Sequence, residues 1–301
     1  MNSQGKQIDI YLYGMTVYSS LYLLDAYPQP DTYGEIIDNH QVVGGEAGNA
    51  AIILSSLGCR VKLDGPFLGS KTRDGILDFL GRFGVDCSGA VYDPSYEGVM
   101  DMVLIDKHSR TVFGRFGHYF SGKKRWGVPD RAAIAASKIV AVDPFFQDES
   151  VEISRICLEL GKPYVTIDSP PESEIHRHSA AIVVSNEFIR DNYKDIATAE
   201  LFSRYIRETE GLVVFTFGGR EIIYGRKGQE MKRMIPYKVD VKSTLGAGDI
   251  FRAGIVYGLL NKFDDEKTAK FAAAVAALVC TRFPYALNPP CMEEILALAG
   301  S

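Results

Sequence analysis

The sequence predicts an α/β fold in which a mainly parallel central sheet carries helices on both faces and a small β-layer lies beside it. Three observations predict it. Short, nearly continuous apolar runs rich in β-branched residues recur along the chain, the form of strands buried on both faces. Segments with helical spacing separate them. Two further stretches break this rhythm and read as hairpins.

The expected strands are residues 8–13, 139–142, 164–167, 182–184 and 212–217. The clearest helices are 49–57, 75–83, 149–160 and 198–208, three of them followed by Gly58, Gly84 or Gly161 where a C-cap belongs. Residues 16–43 hold aromatic and β-branched side chains around Pro28-Gln29-Pro30. Residues 99–116 alternate apolar and polar around Asp106-Lys107-His108-Ser109. Both read as antiparallel hairpins, and together they form a β-layer suited to closing over a cleft. The last third is helical, at 249–260, 264–281 and 292–299. Its Ala-rich run AKFAAAVAALV suits close helix packing.

Composition narrows the function. With 46% hydrophobic and 24% charged residues over 301 positions, disorder, collagen and coiled coil are excluded. A formal charge of −5 supplies no field for a polyanion, so no nucleic-acid partner is expected. No apolar run reaches the roughly 18 residues of a membrane span. The opening MNSQGKQIDIYLYG lacks the basic-then-apolar plan of a secretory signal. Cys59, Cys87, Cys157, Cys280 and Cys291 form no C-x-x-C pair and read as thiols in a reducing cytoplasm. No repeat or linker divides the chain, which is expected to be one domain over residues 1–301.

The chemistry concentrates in Ser243-Thr244-Leu245-Gly246-Ala247-Gly248-Asp249-Ile250-Phe251. Two glycines let the backbone approach a ligand, and a helical pattern starts directly after them. The unpaired amides of that first turn and the positive end of the helix dipole make an anion site. Asp249 in the same turn suits a general base on a hydroxyl, while the Gly246, Ala247 and Gly248 amides hold a transferring phosphoryl group. The string is no Rossmann fingerprint, since Phe251 stands where a third glycine is required. Leu68-Gly69-Ser70-Lys71-Thr72 is no Walker A loop either, because Ser70 interrupts it.

This segment resembles the D-T-x-G-A-G-D-x-F signature of the ribokinase-like (PfkB) carbohydrate kinases. Gly44-Gly45-Glu46-Ala47-Gly48-Asn49 resembles the same family's G-G-x-x-x-N pattern. The resemblance implies a ribokinase-like fold with a β-lid from about 16–43 and 99–116. It implies ATP and magnesium, and a sugar or polyol held by Gly44, Gly45, Asn49, Ser19 and Asp249. Thr244, Asn186, Thr216, Gly218 and Gly219 fall on the nucleotide side, and Glu187 on the metal. A lid with open edges also suits a homodimer.

The chain departs from the family pattern in four ways. Ser243 replaces the first Asp of the signature. Val17 and Ser19 stand where an Asn and an Asp usually grip sugar hydroxyls. Ile189 occupies the usual Glu position of N-x-x-E, leaving Glu187 as substitute. Phe283-Pro284-Tyr285-Ala286 replaces a Gly-Ala expected near the adenine. The five histidines match no metal pattern. His176 and His178 read as a solvated face, and Arg252 as a surface residue.

The leading expectation is an ATP-dependent kinase acting on a primary hydroxyl of a sugar-like molecule. A nucleoside kinase of the same fold is the nearest rival, with Tyr18, Tyr22 or Phe116 stacking on the base. A binding or regulatory protein with little turnover is the second, motivated by the lost carboxylates.

Overall fold

The computed structural model describes residues 8–107 and 109–300, so His108 of the second expected turn lies outside the described residues. The strands are β1 (Ile10–Tyr13), β2 (Val17–Leu24), β3 (Ile36–Gly44), β4 (Val61–Asp64), β5 (Leu68–Gly69), β6 (Tyr92–Asp93), β7 (Met100–Ile105) and β8 (Arg110–Gly114). They continue as β9 (Ile139–Val142), β10 (Tyr164–Ile167), β11 (Ala181–Ser185), β12 (Leu212–Thr216), β13 (Ile222–Gly225) and β14 (Lys232–Met234).

Eight strands form the main sheet in the order β14-β13-β12-β11-β10-β9-β1-β4. The six from β12 to β4 run parallel, and β13 and β14 add an antiparallel edge. Burial on both faces explains the continuous apolar runs. Along β1, Ile10 and Leu12 join one core, while Tyr11 and Tyr13 join the other. Strand β4 escapes the sequence reading because Lys62 and Asp64 interrupt its apolar pattern; both are buried, with Lys62 Nζ 3.9 Å from Asp64 Oδ1.

A second sheet, β3-β2-β7-β8, covers the sites at the strand ends. Its two hairpins fall where the period of two predicts them. They join through a parallel pairing of β2 with β7, in which Ser19 is the register partner of Asp101. That pairing is invisible in the sequence because it links segments about 80 residues apart. Period two also fixes the faces: Val17, Ser19 and Leu21 look into a cavity, and Tyr18 and Tyr22 are not among its lining residues.

The helix Ala247–Leu260 packs against Asp265–Cys280 on one face of the main sheet. A Cβ on Gly254 would stand 2.5 Å from Ala272 Cα, so glycine permits the close crossing. The alanine-rich run thus serves packing, and it holds the start of the first helix over the strand ends. The sequence reading of two side chains is corrected here. Arg252 is fully buried and ion-paired with Asp143. His176 is buried too, its Nε2 2.9 Å from the Tyr205 carbonyl, because one turn of helix turns it into the core.

Candidate active site

Parallel strands ending on one side leave a crevice where ligands bind in open α/β sheets. Here that crevice, roofed by the second sheet, holds a cavity of about 490 Å³. Gly44, Gly45, Asn49, Ser19, Gly246 and Asp249 all line it. Six sequence-predicted residues therefore meet in one place. Thr244, Asn186, Thr216, Gly218, Gly219 and Glu187 lie outside its lining, as do Ala247 and Gly248. A hollow of about 540 Å³ near the C-terminal helix is lined by Glu266 and Lys270, which neutralise each other 2.7 Å apart. It gathers no comparable chemistry.

The two glycine motifs shape the floor. Gly45 has φ 82°, and a Cβ there would stand 2.6 Å from the Met15 carbonyl. That carbonyl also accepts from the Ala47 and Gly48 amides at 3.0 and 3.1 Å. The turn thereby starts the helix Glu46–Ser56 and places Asn49 one turn inside it. Gly246, with φ 73°, turns the chain into the helix Ala247–Leu260. The Ala247 amide bonds the Thr244 carbonyl at 3.3 Å, and no acceptor among the described residues takes the Gly248 amide. Ser243, in place of a carboxylate, accepts from the Leu245 amide at 3.2 Å, a long bond that still orders the loop.

At the meeting point, Asn49 Nδ2 donates to Asp249 Oδ2 at 2.7 Å. The Tyr285 hydroxyl donates to Asn49 Oδ1. This fixes the amide so that its NH₂ faces the carboxylate. The segment 283–286 lines this cavity, and its Tyr285 orients Asn49. Tyr285 was legible only as an aromatic; its partner is 236 positions away.

The electrostatics are those of a crowded acidic floor. Burial raises the Asp249 carboxyl, while the Asn49 bond and the Arg252 charge pull it down. Glu46 beside it is pushed up to about 8, first by burial and then by the Asp249 and Asp143 charges. It keeps its proton at neutral pH. Asp143 accepts from the Met15 amide at 2.7 Å as well as from Arg252, tying β9 to the loop after β1. Arg110 of β8 reaches Thr244 Oγ1 at 2.7 Å, which joins the second sheet to the signature loop.

Toward β11 and β12, Asn186 and Glu187 begin the helix Asn186–Asn192, capped by the Ser185 hydroxyl on the Phe188 amide. Arg220 donates to Asn186 Oδ1 at 3.1 Å. Ile189 is buried in the core and presents no polar group, so the usual acid is absent there. Gly218, at φ 59°, makes the turn after Thr216. Asp168, which the sequence reading missed, sits at the end of β10 and accepts from the Ser185 amide and hydroxyl at 2.7 and 2.9 Å. Burial, with the Asp249 and Glu187 charges, pushes it up to about 6. A φ of 43° at a non-glycine residue marks it as held in place.

A recessed carboxylate thus stands at a glycine-led helix start, in a roofed crevice at the parallel strand ends. The chain belongs to the pfkB family of carbohydrate kinases, whose model matches residues 10–288. A nucleoside kinase from Methanothermobacter thermautotrophicus is 26% identical over 290 residues, covering 90% of this chain and 89% of that one. The 1-phosphofructokinase of Escherichia coli is 26% identical over 262 residues, covering 79% and 80%. An Arabidopsis thaliana ribokinase complexed with ribose and ATP superposes with TM-score 0.80 at 15% identity, over 98% of this chain and 99% of that one. A Methanocaldococcus jannaschii nucleoside kinase gives 0.74 at 19% identity, over 98% and 99%. The chain is thus a ribokinase-like kinase of the sugar-or-nucleoside class, and no helix among its described residues is long and apolar enough to cross a membrane.

Proposed function

We propose that this kinase transfers the terminal phosphoryl group of ATP to a primary hydroxyl of a small polyhydroxylated molecule, with Asp249 as general base. The observation that carries the reading is the Asn49–Asp249 hydrogen bond on the floor of the roofed cavity. Its raised pKa brings Asp249 nearer working pH, where a base best balances availability against proton affinity. The protonated Glu46 spares Asp249 a second negative neighbour. Gly44, Gly45, Ser19 and Asn49 hold the acceptor, and the Gly246 and Gly248 amides, joined by the Ala247 amide when it leaves the Thr244 carbonyl, hold the phosphoryl oxygens. Thr244, Asn186, Thr216, Gly218 and Gly219 lie along the path for the rest of the nucleotide.

Magnesium fits the acidic end of this path. The ion usually keeps several waters and takes only one or two carboxylates besides the nucleotide phosphates. Glu187, with its charge felt by the half-buried Asp168, supplies that kind of hard-oxygen donor. Among the described residues no three His, Cys, Asp or Glu side chains group to hold a metal, and the nucleotide phosphates would supply the further oxygen ligands. When bound, the ion neutralises charge on the phosphates.

The second sheet acts as a lid within a single working unit, excluding water and sparing ATP from hydrolysis. Its outer face exposes Met102 and Phe113, which are cross-strand partners, and β3 and β8 are open edges; both features support a lid-to-lid homodimer. We assign the protein to the cytoplasm on its free thiols and give it no nucleic-acid partner on its charge.

A nucleoside acceptor is the second reading, favoured by one observation. Phe116, Phe120, Phe145 and Phe283 line the cavity and offer faces to a flat base. A panel of sugars, polyols and nucleosides with ATP and magnesium tests both readings. Phosphorylation of at least one compound, slowed about 10²- to 10⁴-fold by Asp249→Asn, is expected; an Asp249→Asn enzyme as fast as wild type removes the base from the mechanism.

A further inference from the structure

We propose that Asp101, on the neighbouring lid strand, supplies the hydroxyl-gripping carboxylate that Ser19 lacks, and so selects the substrate. The inference rests on reading the cavity as the acceptor site. Asp101 and Ser19 are register partners across the parallel β2–β7 pair, so their side chains leave the sheet on the same face. Both line the cavity that contains Asp249. Period two makes this placement obligatory: Val103 also looks in, whereas Met102 between them is exposed on the outer face.

Asp101 is also incompletely satisfied. Its Oδ1 is buried with no hydrogen-bond partner among the described residues. A buried carboxylate oxygen without a donor is costly, and proteins retain such groups mainly where something else completes them. Burial raises its pKa, and the adjacent Ser19 hydroxyl only partly opposes this. The cavity's cations are engaged elsewhere. Arg110 donates to Thr244, and Arg282 to the Asn288 carbonyl and to Glu294. Beyond the Ser19 hydroxyl, what remains to satisfy the unpartnered Oδ1 is a neutral donor brought by the ligand. A hydroxyl fits, since a carboxylate accepting from it makes a charge-assisted bond about twice as strong as a neutral one. The grip normally placed on β2 has moved one strand across the lid at the same depth.

The test is calorimetric binding, run beside a phosphorylation assay, on wild type, Asp101→Asn and Asp101→Ser. The probes are D-ribose, D-fructose and adenosine, each against its deoxy analogues lacking one hydroxyl. For the best wild-type ligand, each variant is expected to weaken binding by roughly ten- to hundredfold. One deoxy analogue should bind wild type and variants alike, because it lacks the hydroxyl that Asp101 holds. Melting temperatures should hold or rise, which separates a lost grip from a damaged fold. Discrimination between hydroxylated and deoxy ligands that is the same in variants and wild type overturns the proposal, as does a wild type that binds none of the hydroxylated probes. Asp101-dependent discrimination without phosphoryl transfer supports the grip and removes the kinase mechanism; transfer with unaltered discrimination does the reverse.

Discussion

Asn49 and Asp249 are 200 positions apart in the chain and 2.7 Å apart at the cavity floor. Each stands in the first turn or so of a helix that begins with a left-handed glycine, Gly45 or Gly246. Two helix starts thus converge, and the amide donor from one aims at the carboxylate of the other.

That convergence predicts how turnover fails. Asp249→Asn removes the proton acceptor but preserves shape, so kcat should fall by about 10²- to 10⁴-fold while ligand binding persists. Coupled ADP-release kinetics and calorimetry on the same preparation check the split.

Tyr285 acts at one remove. Tyr285→Phe deletes the hydroxyl that holds the Asn49 amide, leaving Asn49 free to rotate away from Asp249. The expected cost is roughly two- to tenfold in kcat, with KM less affected. An unchanged kcat would mean that Asn49 is oriented without it.

Glu46 makes a pH prediction. An ordinary glutamate titrates near 4.5, and burial with its acidic neighbours raises this one to about 8. Between those values the folded chain keeps a proton that the unfolded chain releases. Stability from this group is therefore full below pH 4.5 and declines as pH rises toward 8. Glu46→Gln removes the titration, so its melting temperature should overtake wild type's progressively across that range. Thermal melts at half-unit steps of pH read the difference.

The buried Arg252–Asp143 pair is structural as well as electrostatic. Arg252→Met leaves the buried Asp143 without its ion-pair partner, and should cost about 3–5 kcal/mol in urea denaturation. The double variant Arg252→Met, Asp143→Asn should recover part of that loss. A single variant as stable as wild type would show that the pair contributes nothing.

Much of this molecule can be read without coordinates. Continuous apolar runs gave strands such as Ile139–Val142, because burial on both faces leaves no room for polar residues. The two hairpins followed from a period of two, and the glycine-rich strings located both helix starts, since only glycine tolerates φ of 82° and 73° there at no steric cost. What a linear string hides is pairing at a distance. Tyr285 beside Asn49, Asp168 beneath Ser185, and the burial of Arg252 against Asp143 are contacts between remote segments.

The sequence alone determined the alternation of strands and helices, the lid, and the glycine-led helix start that carries Asp249, because each is written in local spacing and glycine conformation. Only the tertiary structure decided which carboxylates share a floor, and that Asp101 stands beside Ser19 on the cavity face of the lid. Register across β2 and β7 sets that, and register is a property of two strands that no single strand can encode.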